Sequence, residues 1–144
     1  MRKQQFEVIV DKIPNLTAKG INTSDLKGHE EFKSKAIYLQ QTLDSIKYMS
    51  RFTSTTRTMK YQKQYATPEM LKEIIAWHSR EVSEGAIIIA ALYLGFRVMK
   101  LNNKVCFNID KVRLELEVEE YQRMSDLRRQ LKSAWFNIYP TLLN

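Results

Sequence analysis

With 144 residues, 44% of them hydrophobic and 27% charged, the chain has room for one domain, or one with an appendage, and for a core that holds without covalent staples. One cysteine, Cys106, excludes an internal disulfide framework and fits a reducing cytosol; two histidines far apart, His29 and His78, argue against a dedicated zinc site. The net charge of +7 points to an anionic partner, and it falls almost wholly in residues 45–109, where ten cations meet four anions, against seven and six in 1–44 and six of each in 110–144.

At the N terminus "MRKQQFEVIV" lacks the apolar run and cleavage site of a signal peptide. Within it, "QQFEVIV" is short enough to be strand or helix, and "PNLTAKGINTSDLKG" reads as loop from its Asn, Thr, Ser and Gly. From Glu30 to about Met49, Phe32, Ala36, Leu39, Leu43, Ile46 and Met49 step by three and four. That spacing predicts one amphipathic helix, with Lys47 and Arg51 at the negative end of its dipole. Next comes "SRFTSTTRTMKYQKQY", Ser50 to Tyr65, with four cations, four threonines, three aromatics, no acid and no clear apolar face.

Thr67-Pro68-Glu69 then supplies an N-cap, a proline at the first helical position and a first-turn acid for the helix "PEMLKEIIAWHSR". Ser83 caps a second helix, "EGAIIIAALYL", which Gly95 ends. The apolar run "GAIIIAALYLGF" is 12 residues, too short to span a bilayer, so a soluble cytoplasmic protein is expected. "FRVMKL" and "KVCFNI" alternate around Asn102-Asn103, the pattern of a tight β-hairpin. From Asp110, "KVRLELEVEE" alternates like a strand, yet Lys111/Glu115 and Arg113/Glu117 also stand at helical pairing distance. Met124, Leu127, Leu131, Ala134 and Ile138 step 3-4-3-4, which predicts a long C-terminal helix whose stripe either closes the core or forms a dimer seam. The fold class expected is mainly α with a small β-hairpin (α+β). One DNA-binding domain fills the chain: an N-terminal helical part (1–49), the basic segment with a helix-turn-helix-hairpin unit (50–109), and a C-terminal helix (110–144).

Enzyme chemistry finds no footing. No GxSxG, P-loop, GxGxxG or HExxH spacing is present. Glu115, Glu117, Glu119 and Glu120 could bind Mg²⁺, but interleaved with Lys111 and Arg113 they read as a salt-bridged helical face. His78 reads as a partly buried or surface histidine, and Cys106, between Val105 and Phe107, as a buried structural thiol. The expectation is therefore no enzyme, no cofactor, no metal and no small-molecule substrate.

Binding to a polyanion has stronger support. A recognition helix should offer polar side chains to base edges, whereas "EGAIIIAALYL" has Glu84, Tyr93 and little else, and reads as buried. Contact then falls to the hairpin, with Arg97, Lys100, Asn102, Asn103 and Lys104, and to the acid-free segment with Lys47, Arg51, Thr55, Arg57, Lys60, Gln62 and Lys63. Lysines and hydroxyls suit phosphates, while Arg51, Arg57 and Gln62 suit guanine and adenine edges through paired hydrogen bonds. Tyr61 and Tyr65 stack on bases or anchor the segment to the core.

"GAIIIAALYLGFRVMKLNNKVCFNI", Gly85 to Ile109, resembles a DNA-binding module of phage homing endonucleases and of related CapR-like repressors of phage satellites. The shared pattern is Gly-Ala, an apolar helix, Leu-Gly-Phe, a short hairpin and Phe-Asn-Ile. In the endonucleases a nuclease domain accompanies the module; no GIY-type catalytic arrangement is found here. The resemblance implies binding without cutting: a sequence-specific double-stranded DNA binder that occupies a promoter as a repressor. A homodimer through the C-terminal stripe is expected with it, since a small basic DNA binder often doubles its contacts by pairing. Two alternatives stay open. One is an RNA-binding protein that stacks Tyr61, Tyr65 or Phe52 on unpaired bases. The other is a phage-encoded inhibitor that blocks an acidic protein partner.

Overall fold

An apolar run between a serine and a glycine builds the centre of the molecule. In the computed structural model, which describes residues 1–21, 25–55, 66–101 and 104–138 (Leu101 and 134–138 by backbone alone), that run is a helix over Glu84–Tyr93. The Ser83 hydroxyl accepts from the Ala86 N–H at 3.3 Å. At the other end Gly95, at φ 88°, lets its own N–H reach the Leu92 carbonyl and the Phe96 N–H reach Ala91, which satisfies the last carbonyls of the helix. Residues 85–91 are all buried. A stretch of nearly two turns with no wet face needs neighbours on every side, and the rest of the chain supplies them.

In chain order the elements are α1 (Lys3–Asp11), β1 (Leu16–Thr17), β2 (Gly20–Ile21), α2 (Leu26–Ser34), α3 (Ala36–Met49), α4 (Pro68–His78), α5 (Glu84–Tyr93), β3 (Val98–Leu101), β4 (Lys104–Phe107) and α6 (Lys111–Ile138). Among the described residues the protein is thus mainly helical, an α-rich α+β fold with two small antiparallel strand pairs. α5 contacts α1, α3, α4, β2 and β3. Phe6, Val10, Leu16, Phe32, Met49, Leu71, Ile75, Ile87, Ile89 and Phe107 belong to one core around it.

The N-terminal third departs from the sequence expectation in two places. The ambiguous first segment is helix, with Phe6 and Val10 one turn apart and both buried. The expected loop over residues 14–28 holds a two-rung ladder, Leu16 opposite Ile21 and Thr17 opposite Gly20. Asp25 then caps α2 by accepting from the Gly28 N–H at 3.0 Å. The single helix expected from Glu30 to Met49 is two helices, broken at Lys35, whose backbone is extended (φ −78°, ψ 126°). The two halves serve different neighbours: Phe32 of α2 packs on Phe6 with ring centres 5.6 Å apart, while α3 runs along α5. Stepping by three and four continues through the break, so periodicity alone does not reveal it.

From Thr67 onward the expected elements form. The Thr67 hydroxyl accepts from the Met70 N–H at 3.2 Å, with Pro68 opening α4. Thr67→Ala is expected to lower stability by about 1 kcal/mol, read as a smaller urea midpoint at unchanged slope. β3 and β4 pair antiparallel from Val98 opposite Phe107 to Leu101 opposite Lys104. The Asp110 carboxylate accepts from the Val112 N–H at 3.0 Å where α6 starts. Among the described residues no helix is long and apolar enough to cross a membrane.

Candidate nucleic-acid interface

Asn108 is the joint on which the cationic elements are assembled. It follows β4 and is buried, so each of its polar groups needs a partner. Its side-chain carbonyl accepts from the Arg97 N–H at 2.7 Å, and its side-chain amide donates to the Thr55 carbonyl at 3.2 Å. Its own backbone N–H donates to Arg97, and its carbonyl accepts from the Thr55 N–H at 2.8 Å. One asparagine thus ties the start of the hairpin to the chain that leaves α3.

The neighbouring residues repeat the arrangement. Ser54 bridges to Ile109, and the Asp110 N–H donates to the Thr53 carbonyl at 2.8 Å. On the far side of residues 56–65, Ala66 bridges to Phe107, whose N–H donates to the Ala66 carbonyl at 2.9 Å. Phe107 therefore has Val98 of β3 on one edge and Ala66 on the other. Both ends of the acid-free stretch are fastened to two adjacent residues, Phe107 and Asn108.

On the hairpin itself Arg97, Lys100 and Lys104 are exposed, and Lys47 is exposed on the last turn of α3. Thr55 is half-buried at the joint. Asn102, Asn103, Arg57, Lys60, Gln62 and Lys63 lie outside the described residues. The four anions of residues 45–109, Glu69, Glu73, Glu81 and Glu84, line one pocket with Lys72 and Ala76 at the α4–α5 side. Lys104 borders a second cleft that includes Glu69 and Glu84, while Arg97 and Lys100 are not among its lining residues. The four acids thus gather at the α4–α5 side with Lys72 among them, while Arg97 and Lys100 line neither cleft and Lys104 stands at the boundary.

Arg51, expected at base edges, is engaged within the protein. Its Nε donates to the Tyr48 carbonyl at 2.9 Å, its guanidinium lies 4.0 Å from the Tyr48 ring centre, and its Nη1 donates to Glu117 Oε1 at 3.2 Å. The reason is Glu117, whose side chain is only 4% exposed. A carboxylate buried to that degree requires charged partners. Arg113, one turn earlier on α6, donates to the same oxygen at 3.0 Å; the Tyr48 hydroxyl donates to Oε2 at 3.3 Å, and His78 Nε2 stands 3.8 Å away. Burial pushes the Glu117 carboxyl up, but hydrogen bonds from Arg51 and Arg113 outweigh it and hold it below the usual carboxylate value. Burial, reinforced by the Glu117 charge, pushes the Tyr48 phenol up, so it remains a donor. With both oxygens engaged, the carboxylate fastens α6 to α3 and α4.

The acidic run on α6 is accordingly divided. Glu117 is buried in this network, while Glu115, Glu119 and Glu120 are exposed. Of the two ion pairs expected at i,i+4 spacing, Arg113–Glu117 is formed. The network was readable in outline: Leu114, Glu117, Val118 and Tyr121 share a helical face, and an acid on an apolar face signals a buried partner. Cys106 is buried. Among the described residues no three or more His, Cys, Asp or Glu side chains are placed to hold a metal ion. Scans of the chain against models of protein families, against curated proteins and against solved structures return no match.

Proposed function

We propose that the protein binds double-stranded DNA sequence-specifically and represses transcription by occupying a promoter without cutting it. The observation that carries this reading is the double fastening of the acid-free stretch, Thr55 on Asn108 and Ala66 on Phe107, beside a hairpin that displays Arg97 and Lys100. Cations that are dispersed in the sequence thereby start from one place. A two-stranded ribbon fits the major groove as well as a helix does, which supports the reading because residues 85–91 of α5 are all buried. Arg97, Lys100 and Lys104 neutralise phosphates together with Lys60 and Lys63; Arg57 and Gln62 are the proposed base readers. Arg51 is withdrawn from that role, since its guanidinium is committed to Glu117.

The test is salt. With about five to eight phosphate contacts, log affinity for duplex DNA falls against log salt with a slope of about −5 to −7. Lys100→Ala reduces the magnitude of that slope by about one and weakens all sequences alike. Arg57→Ala instead costs about 1–3 kcal/mol on the preferred site and little on random duplex. Fluorescence anisotropy with duplex, single-stranded DNA and RNA reads all three. A flat salt response removes the polyanion partner altogether, and stronger binding to RNA transfers the surface to that partner.

A further inference from the structure

α6 is 28 residues long, about 42 Å at the usual helical rise. The body of the protein occupies one of its faces, through Leu114 and Glu117, both buried, and through Val118 and Tyr121 at the groove shared with α4. Another face carries Val112, Leu116, Leu127 and Leu131, exposed by 64%, 58%, 44% and 56%. These are four of the eight exposed large apolar side chains among the described residues. At roughly 100° per residue all four fall within an arc of about 100°, and Glu120 and Arg123 fall in the same arc. The stripe repeats every eleven residues, Val112 to Arg123, Leu116 to Leu127 and Glu120 to Leu131, a period that keeps it on one side of a nearly straight helix. An apolar band of this kind on a water-facing helix marks an interaction surface.

The order of residues along the stripe identifies the partner. We propose that a second copy of this chain covers it, antiparallel, about a two-fold axis between Tyr121 and Gln122. Val112 and Leu131 are equally distant from that point, as are Leu116 and Leu127, Glu120 and Arg123, and Glu115 and Arg128. Each residue therefore meets its complement: Val112 meets Leu131 of the second copy, and Leu116 meets Leu127. Glu120 meets Arg123. The two-fold axis repeats every contact. The exposed acids Glu115, Glu119 and Glu120 sit in the first half of α6, while Arg123, Arg128, Arg129 and Lys132 sit in the second. Within the stripe, parallel pairing would set Glu120 on Glu120 and Arg123 on Arg123; antiparallel pairing sets each against its opposite.

The surface differs from the stripe of Met124, Leu127, Leu131, Ala134 and Ile138 expected from 3-4 spacing. Leu127 and Leu131 are common to both, but Met124 is half-buried on the side toward the body, and the side chains of Ala134 and Ile138 lie outside those described. Val112 and Leu116 take their place. The pairing is independent of DNA binding.

Sedimentation equilibrium of the full chain at micromolar concentration is expected to show a monomer–dimer equilibrium. Leu116→Glu and Leu127→Glu, both at exposed positions, abolish it while circular dichroism stays unchanged. Glu120→Arg alone and Arg123→Glu alone each weaken dimerisation by about tenfold or more, since two like-charged contacts replace two attractive ones. The double variant E120R/R123E restores it. That restoration is specific to antiparallel pairing, because in a parallel dimer the swap leaves every contact like-charged. A mixture of Leu116→Cys and Leu127→Cys chains forms a disulfide-linked dimer, and neither chain does so alone. A strictly monomeric wild-type chain overturns the proposal. So does a dimer indifferent to Leu116→Glu, failure of the double swap to restore pairing, or self-linking of Leu116→Cys.

Discussion

Ile88→Asp leaves no cooperatively folded protein. Ile88 lies at the middle of α5 with no accessible surface, over Gly20 of β2 on one side and among the helices on the others. An ionised carboxylate is far costlier to place there than isoleucine, and even its protonated form costs several kcal/mol to bury. A domain of this size has about 5–15 kcal/mol of stability in all. Ile88→Ala separates polarity from volume: the cavity costs about 2–5 kcal/mol, and the protein still folds. Urea titration followed by circular dichroism is expected to show a shifted midpoint for the alanine variant and no transition for the aspartate variant. A folded Ile88→Asp that lost only DNA binding would return α5 to the role of recognition helix.

The second large effect is at Arg51. Breaking a buried ion pair by removing one member costs about 3–5 kcal/mol. Arg51 is 32% exposed and Arg113 remains beside Glu117, so solvent screening reduces the expected loss for Arg51→Ala to about 2 kcal/mol. The pH dependence has a definite sign. Folding lowers the carboxyl pKa of Glu117, so its ionised form contributes stability above the ordinary unfolded value of about 4.3. That contribution fades as pH falls through the lowered folded value. Removal of Arg51 leaves burial, which pushes the carboxyl up, opposed by Arg113 and the Tyr48 hydroxyl without their strongest ally. Acid destabilisation of Arg51→Ala therefore begins at higher pH than in the wild type, as urea midpoints across the acid range would show. Glu117→Gln, which has no carboxyl to titrate, loses this component. If Arg51→Ala kept full stability and instead lost affinity for its DNA site, Arg51 would belong on the binding surface after all.

The fold was legible where the chain punctuates itself. Thr67 with Pro68, Ser83 and Gly95 are local signals that act on their own few residues, and each marks its helix end as expected. The alternation around Asn102-Asn103 set the hairpin in the same way. What remained hidden depends on distant partners. Nothing near Lys35 announces a break, because α2 and α3 diverge in response to Phe6 and α5. Arg51 reads as a free cation until Glu117, sixty-six residues away, comes beside it. The composition of 50–65 is a sequence property, but its fastening to Phe107 and Asn108 is a tertiary one. Asn108 was visible only as the middle of Phe-Asn-Ile, and its role as a joint cannot be read until its four hydrogen bonds are known.

The burial of α5 also governs the order in which the molecule can come into being. Residues 84–93 are made after more than half of the chain, yet α1, α3, α4 and β2 all turn their apolar sides to them. Synthesis proceeds from the N terminus, so Phe6, Val10, Leu71 and Ile75 leave the ribosome before the helix that completes their burial. They wait for a single late segment, and consolidation is all-or-none once it arrives. The protein trades early, stepwise folding for a core in which the middle of α5 is covered on every side, and the interval before α5 emerges is when its nascent chain is most in need of protection from aggregation.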